Sequence, residues 1–72
     1  MWFYQSPIGP MCIYKNQNNK YSLQINEVVY GFYNSAAMAA DDVFAQYTGC
    51  SDWDDFDFTD IPTDIKEWEY QS

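Results

Sequence analysis

Residues 21–49 read YSLQINEVVYGFYNSAAMAADDVFAQYTG, and two side-chain periods meet inside them. Tyr21, Leu23 and Ile25 alternate with Ser22, Gln24 and Asn26. Successive strand side chains point to opposite faces, so this pattern predicts a strand with one buried face. Asn26-Glu27 then makes a short turn, and residues 28–33 form a second strand. Gly31 within it marks a bulge or a close backbone approach. After Tyr33 the period changes. Ala36, Ala39, Ala40, Val43, Phe44 and Tyr47 recur at helical spacing. Ser35 is the expected N-cap, because its hydroxyl can accept a free N–H of the first turn. Gly49 stands where a helix-ending glycine belongs, which places the helix at residues 36–48. Its small alanines predict close approach to the sheet, with Asp41 and Asp42 on the solvent side.

Upstream, Asn16-Gln17-Asn18-Asn19 is a turn cluster, and MCIYK (residues 11–15) before it is a further strand. Connections this short favour an antiparallel meander. Residues 1–10, MWFYQSPIGP, are apolar until Pro7, Gly9 and Pro10 break them. They read as a strand-like or loose leader followed by a turn. Downstream, residues 50–61 show no clean period and read as an acidic loop pinned by its rings. Residues 62–67, PTDIKE, look like a second helix start capped by Thr63 or Asp64, with Asp64 and Glu67 at capping-box spacing. Ile65 and Trp68 would pack this turn back on the domain. The expected fold class is therefore α+β: a three-stranded antiparallel sheet packed by one α-helix, an acidic loop and a short C-terminal helical turn. One small domain spans residues 1–72, with 10–49 as its core and 50–72 as an acidic, aromatic wrap.

A chain of 72 residues buries only about 60% of its unfolded surface, so its core needs a supplement. Aromatic residues, 21% of the chain, supply it. The net charge is −8, and it is local. Residues 1–49 set Lys15 and Lys20 against Glu27, Asp41 and Asp42, for −1; residues 50–72 set Lys66 against eight acids, for −7. There is no arginine. Direct DNA or RNA binding needs a basic face, which three scattered lysines do not make. The field instead draws in basic proteins and repels anionic membrane. The first residues lack a basic n-region, and no run approaches the ~20 apolar residues of a membrane span. A cytoplasmic protein with no membrane role is the expectation.

Catalytic chemistry has little to stand on. No histidine exists, so no Ser-His or Cys-His pair can form, and no zinc site is completed around Cys12 and Cys50. Those cysteines allow either one disulfide or two buried thiols. Acidic neighbours raise a thiol pKa and blunt its nucleophilicity, which disfavours Cys50. The run from Asp52 to Asp57 resembles a calcium loop, but neither a start at Asp52 nor one at Asp54 brings glycine to position six and glutamate to position twelve. Neither metal nor cofactor is expected, and no enzyme.

What remains is binding. Asp52, Asp54, Asp55, Asp57 and Asp60 place five charges in nine residues. Extended, such a stretch covers about 30 Å. A DNA strand carries about nine charges over that length. Half that density allows carboxylates to take phosphate positions on a basic protein, as in small phage-encoded mimics that block restriction or CRISPR machinery. A solvated, solubilising loop is the plain alternative. The candidate partner-binding residues are Asp52, Trp53, Asp54, Asp55, Asp57 and Asp60, with Trp53 as an exposed anchor, since tryptophan dominates interface hot spots. The alternative function is a structural or self-associating accessory domain, a homodimer through its sheet face.

Residues 30–49, YGFYNSAAMAADDVFAQYTG, resemble a strand-turn-helix signature of small bacterial and phage proteins of unassigned function. IPTDIKEW (residues 61–68) resembles the tail of that group. The likeness covers about residues 8–69, implies a fold and assigns no activity. The strand, turn and alanine-rich helix also resemble the three-stranded plant ethylene-response DNA-binding domain. That family reads DNA with arginines and tryptophans on its sheet. Lys15, Lys20, Gln24 and Asn26 stand on the strands here, so the resemblance extends to shape and not to DNA reading.

Overall fold

The computed structural model describes all 72 residues. It is an α+β fold: one antiparallel sheet of five strands, covered on one face by a main helix and the C-terminal segment. The strands are β1 (Trp2–Ser6), β2 (Gly9–Lys15), β3 (Tyr21–Ile25), β4 (Val28–Tyr33) and β5 (Glu69–Tyr70), in the spatial order β4-β3-β2-β1-β5. The helix α1 spans Ala36–Ala45 and a single turn, α2, spans Ser51–Asp54. A 3-10 turn follows at Ile65–Glu67.

The three-strand expectation is corrected to five. The apolar leader is β1, which pairs with β2 from Trp2↔Ile13 to Ser6↔Gly9. Its hairpin closes because Gly9 takes φ +129, where a Cβ would fall 1.9 Å from Asn26 Oδ1. Asn26 Nδ2 donates to the Ile8 carbonyl at 2.7 Å, so the first hairpin turn is tied to the third. The fifth strand has two residues and no readable period. It pairs Trp2↔Tyr70 and Phe3↔Glu69 on the free edge of β1. The N-terminal ammonium donates to the Gln71 carbonyl at 2.8 Å, and Gln71 N–H to the Met1 carbonyl at 2.7 Å.

β3 forms where expected, with Leu23 and Ile25 fully buried, but the burial does not alternate cleanly: Tyr21 is half buried and Ser22, on the other face, is buried too. Asn26 and Glu27 both take positive φ, 50° and 71°, the geometry of a tight primed hairpin turn. The bulge expected near Gly31 is present. Leu23 pairs with Gly31 and Gln24 with Val29, which leaves Tyr30 as the extra residue. That extra residue decides which side each neighbour faces. Phe32, opposite Ser22, turns away from the helix, and Tyr33, opposite Tyr21, turns toward it.

Ser35 caps α1 as expected, its Oγ accepting the Met38 N–H at 3.2 Å. The helix nevertheless ends at Ala45, three residues short of the expected end. Gln46 adopts the left-handed conformation, φ 56°, although it is not glycine. Its side chain explains this: Nε2 donates to the Trp53 carbonyl at 2.7 Å and to the Phe56 carbonyl. Tyr47, expected on the buried helix face, is exposed, and Phe44 is half exposed. Asp41 faces solvent; Asp42 is partly buried and accepts the Tyr33 hydroxyl at 2.8 Å.

The core joins Met11, Ile13, Leu23 and Ile25 from the sheet to Ala36, Ala39, Ala40 and Val43 of α1. Cys50, Trp53 and Trp68 complete it. Residues 50–72 are thus part of the core they wrap. No helix is long and apolar enough to cross a membrane.

Candidate functional site

The acidic segment is held in place by its own middle. Trp53 is fully buried, and its indole N–H donates to the Val43 carbonyl at 2.9 Å. Phe58 stacks on it with ring centroids 4.5 Å apart and planes within 12°. Tyr4 meets it edge-on at 6.4 Å. Asp54 closes the loop before α2. Its carboxylate accepts Thr48 N–H at 2.9 Å, Thr48 Oγ1 at 2.8 Å and Gly49 N–H at 2.8 Å. Thr48 Oγ1 in turn accepts the Cys50 N–H at 3.1 Å. Further on, Asp64 Oδ1 accepts the Lys66 N–H at 2.7 Å, and Glu67 accepts from the Thr63 N–H and hydroxyl. The capping expected at residues 63–67 is therefore divided between two carboxylates.

These contacts split the six expected binding residues. Trp53 has no exposed surface, so it cannot be the anchor; a ring that fills the space between α1 and Tyr4 is worth more inside. Asp54 is spent on three donors of the preceding loop. Asp52, Asp55, Asp57 and Asp60 remain exposed, and no donor of the chain hydrogen-bonds to their carboxylates. The extended spacing is also corrected. Ser51–Asp54 is a helical turn, which rises ~1.5 Å per residue where a strand rises ~3.3 Å. The acids therefore follow a folded path, not an extended ladder.

Phe56, between Asp55 and Asp57, is 59% exposed. Its carbonyl is fixed by Gln46, so the ring stands on an ordered backbone. Tyr47, 79% exposed, borders an open depression that it shares with Thr48, Gly49 and Asp54. These two rings are exposed apolar surface next to Asp54, Asp55 and Asp57. The sequence hid the choice between Phe56, Phe58 and Trp53, because all three stand among aspartates.

The field of the acids reaches neighbouring phenols. Tyr4 is pushed up by burial and then by Asp60. Tyr30 is raised as well, first by the Cys50 side chain beside it and also by the Asp52 carboxylate. Tyr33 rises further, through burial, the Asp42 hydrogen bond and the charges of Asp42 and Asp54. Asp52 and Asp60 thus lie at different places over the covered face, beside β4 and β1 respectively.

Both cysteines are free thiols, so of the two readings the disulfide does not form. Cys50 lies in the core, whereas Cys12 sits partly exposed on the opposite face of the sheet, its thiol pushed up by burial. No three His, Cys, Asp or Glu side chains converge as a metal-binding group. No family model, curated protein or solved structure matches the chain, so a functional reading rests on its own geometry.

Proposed function

We propose that the chain is a non-enzymatic acidic module that binds a basic, nucleic-acid-handling protein. Asp52, Asp55, Asp57 and Asp60 present the charge, and Phe56 is the apolar contact. One observation carries this reading: four exposed carboxylates without internal partners stand on a backbone pinned by Trp53, Asp54 and Gln46. A merely solubilising run needs no such pinning. Preorganised acids lose little freedom when a partner arrives, and their mutual repulsion is relieved by a cationic surface. The partner's basic face would meet carboxylates where it otherwise meets phosphates.

The test is a pull-down of basic proteins with the immobilised chain at low and high salt. The comparison is a variant carrying Asp52→Asn, Asp55→Asn, Asp57→Asn and Asp60→Asn together. Asp54 is left intact, because its loss would damage the loop. Capture by the native chain should fall steeply with salt, fall again when heparin competes for the partner, and be absent in the variant. Capture that survives in the variant, or ignores salt, defeats the proposal.

A further inference from the structure

The second face of the sheet carries no covering element. Alternate positions of the strands that bury Met11, Ile13, Leu23 and Ile25 place Phe3, Cys12, Tyr14, Gln24, Val29 and Phe32 there in adjoining rows. Val29 pairs with Gln24, Gln24 with Cys12 and Cys12 with Phe3; beside that row Phe32 pairs with Ser22 and Ser22 with Tyr14. Phe32 is 68% exposed and Val29 41%. We propose that this face is the interface of a homodimer, two copies stacking sheet against sheet about a two-fold axis near Cys12.

Three observations select a second copy as the occupant. The first is area. Four full strands, each ~4.8 Å wide and with five residues rising ~3.4 Å each, give a face of roughly 19 by 17 Å, with the two-residue β5 at its edge. With side-chain relief, two such faces offer on the order of 1,000 Å², the lower bound for a specific interface. The match is to a weak, concentration-dependent dimer. The second is charge. The face holds no carboxylate except Glu69 at its edge, on the short strand beside Phe3. The acidic segment packs on the other side of the sheet. Stacked copies would hold their acidic patches about three 10 Å layers apart, beyond the ~8 Å Debye length at physiological salt. A charged partner has nothing to meet on this face; an identical apolar face does.

The third is readiness to lose water. Tyr14 already donates its hydroxyl to Gln24 Oε1 at 3.2 Å, and Asn16 Nδ2 donates to Ser22 Oγ at 3.1 Å. Ser22 is 1% exposed although it lies on the open side. Covering this surface strands few polar groups. Edge-to-edge pairing is the weaker route, because the bulge at Tyr30 interrupts β4 and the other edge strand has two residues.

Sedimentation velocity from about 1 µM to about 1 mM, the range that spans weak dimers, tests this. The native chain should dimerise with rising concentration, as well or better at 1 M salt as at 0.1 M (roughly 3 Å against 10 Å of screening length). Phe32→Asp and, separately, Val29→Lys should weaken the dimer by about 30-fold or more, the loss expected at an interface hot spot. Both side chains are exposed, and circular dichroism checks that the variants stay folded. Cys12 supplies an independent readout, because it is the middle residue of β2, the central strand. Stacked sheets lie ~10 Å apart, too far for a disulfide but within reach of a bis-maleimide of that span. Cross-linked dimer should form in the native chain and vanish in Cys12→Ser. A monomer at every concentration, a dimer indifferent to both substitutions, or Cys12 thiols that never cross-link each overturn the proposal. Salt separates the two readings: acid-mediated capture falls with salt, and this dimer does not.

Discussion

On the helix side of the sheet, Met11, Ile13 and Leu23 have no exposed surface and Ile25 has 1%; on the other side Phe32 is 68% exposed. The same strands supply both sets. Folding consumes one face only, and three of its closing residues, Cys50, Trp53 and Trp68, come from the acidic segment. The other face keeps apolar surface that no contact within the chain uses. The difference separates two kinds of aromatic residue that composition treats alike: rings that hold the domain together, and rings that folding leaves available.

The sharpest way to break that comparison is to truncate one ring of each kind. Trp53→Ala should cost about 3–5 kcal/mol, the range for losing a large core ring. A domain of 72 residues has of order 4–11 kcal/mol in total, so this variant should be largely unfolded. Trp53→Phe, which keeps the stack on Phe58 but loses the bond to the Val43 carbonyl, should remain folded enough to measure. Phe32→Ala should stay within about 0.5 kcal/mol of the native chain. Urea denaturation decides it: equal midpoint shifts for Phe32→Ala and Trp53→Phe would show that the two faces do not differ in the way described.

A second contrast lies inside the acidic segment and is smaller. Asp54→Asn removes charge-assisted bonds to Thr48 and Gly49 and should cost about 1–2 kcal/mol. Asp57→Asn removes a carboxylate with no donor and relieves like-charge repulsion, so stability should hold or rise slightly. Denaturation midpoints at unchanged slope check the pair. A loss at Asp57 as large as that at Asp54 would mean the free acids are structural as well.

What the sequence made legible follows the range of the forces involved. β3, the turn at Asn26-Glu27, the bulge near Gly31 and the Ser35 cap are written in residues a few places apart, and all four appear. The leader became β1 because β2 offered it an edge, which no pattern within residues 1–10 records. β5 is two residues long and depends on the same kind of opportunity. The helix ends before Gly49 because Gln46 is held by carbonyls seven and ten residues downstream, a stronger determinant here than the glycine. Charge and aromaticity are visible in sequence and burial is not, so the sequence pattern alone puts Asp54 and Trp53 among the binding residues. The partition of the candidate site into pinned and free residues is tertiary information.

The smallest effect is also the most specific, and it concerns the two neighbours that the bulge sends to opposite faces. Phe32 has no ionisable group; Tyr33 donates its hydroxyl to Asp42 beneath α1. Burial first, then that bond and the nearby carboxylates hold the Tyr33 phenol protonated well above its ordinary range. The unfolded phenol ionises near pH 10. Between that pH and the folded value, the folded chain binds more protons than the unfolded one, so stability falls as pH rises. The contribution is complete below about pH 10 and is lost above it. Tyr33→Phe should therefore cost about 0.5–1 kcal/mol at pH 8, with the low end favoured by partial exposure. At pH 11 the gap to the native chain should narrow, because only the native chain has begun to lose the term. Tyr4 and Tyr30 are raised too and remain in both proteins, so they cancel in the difference. A gap of the same size at both pH values would mean that Tyr33 is held by packing alone, with its proton irrelevant to the covered face.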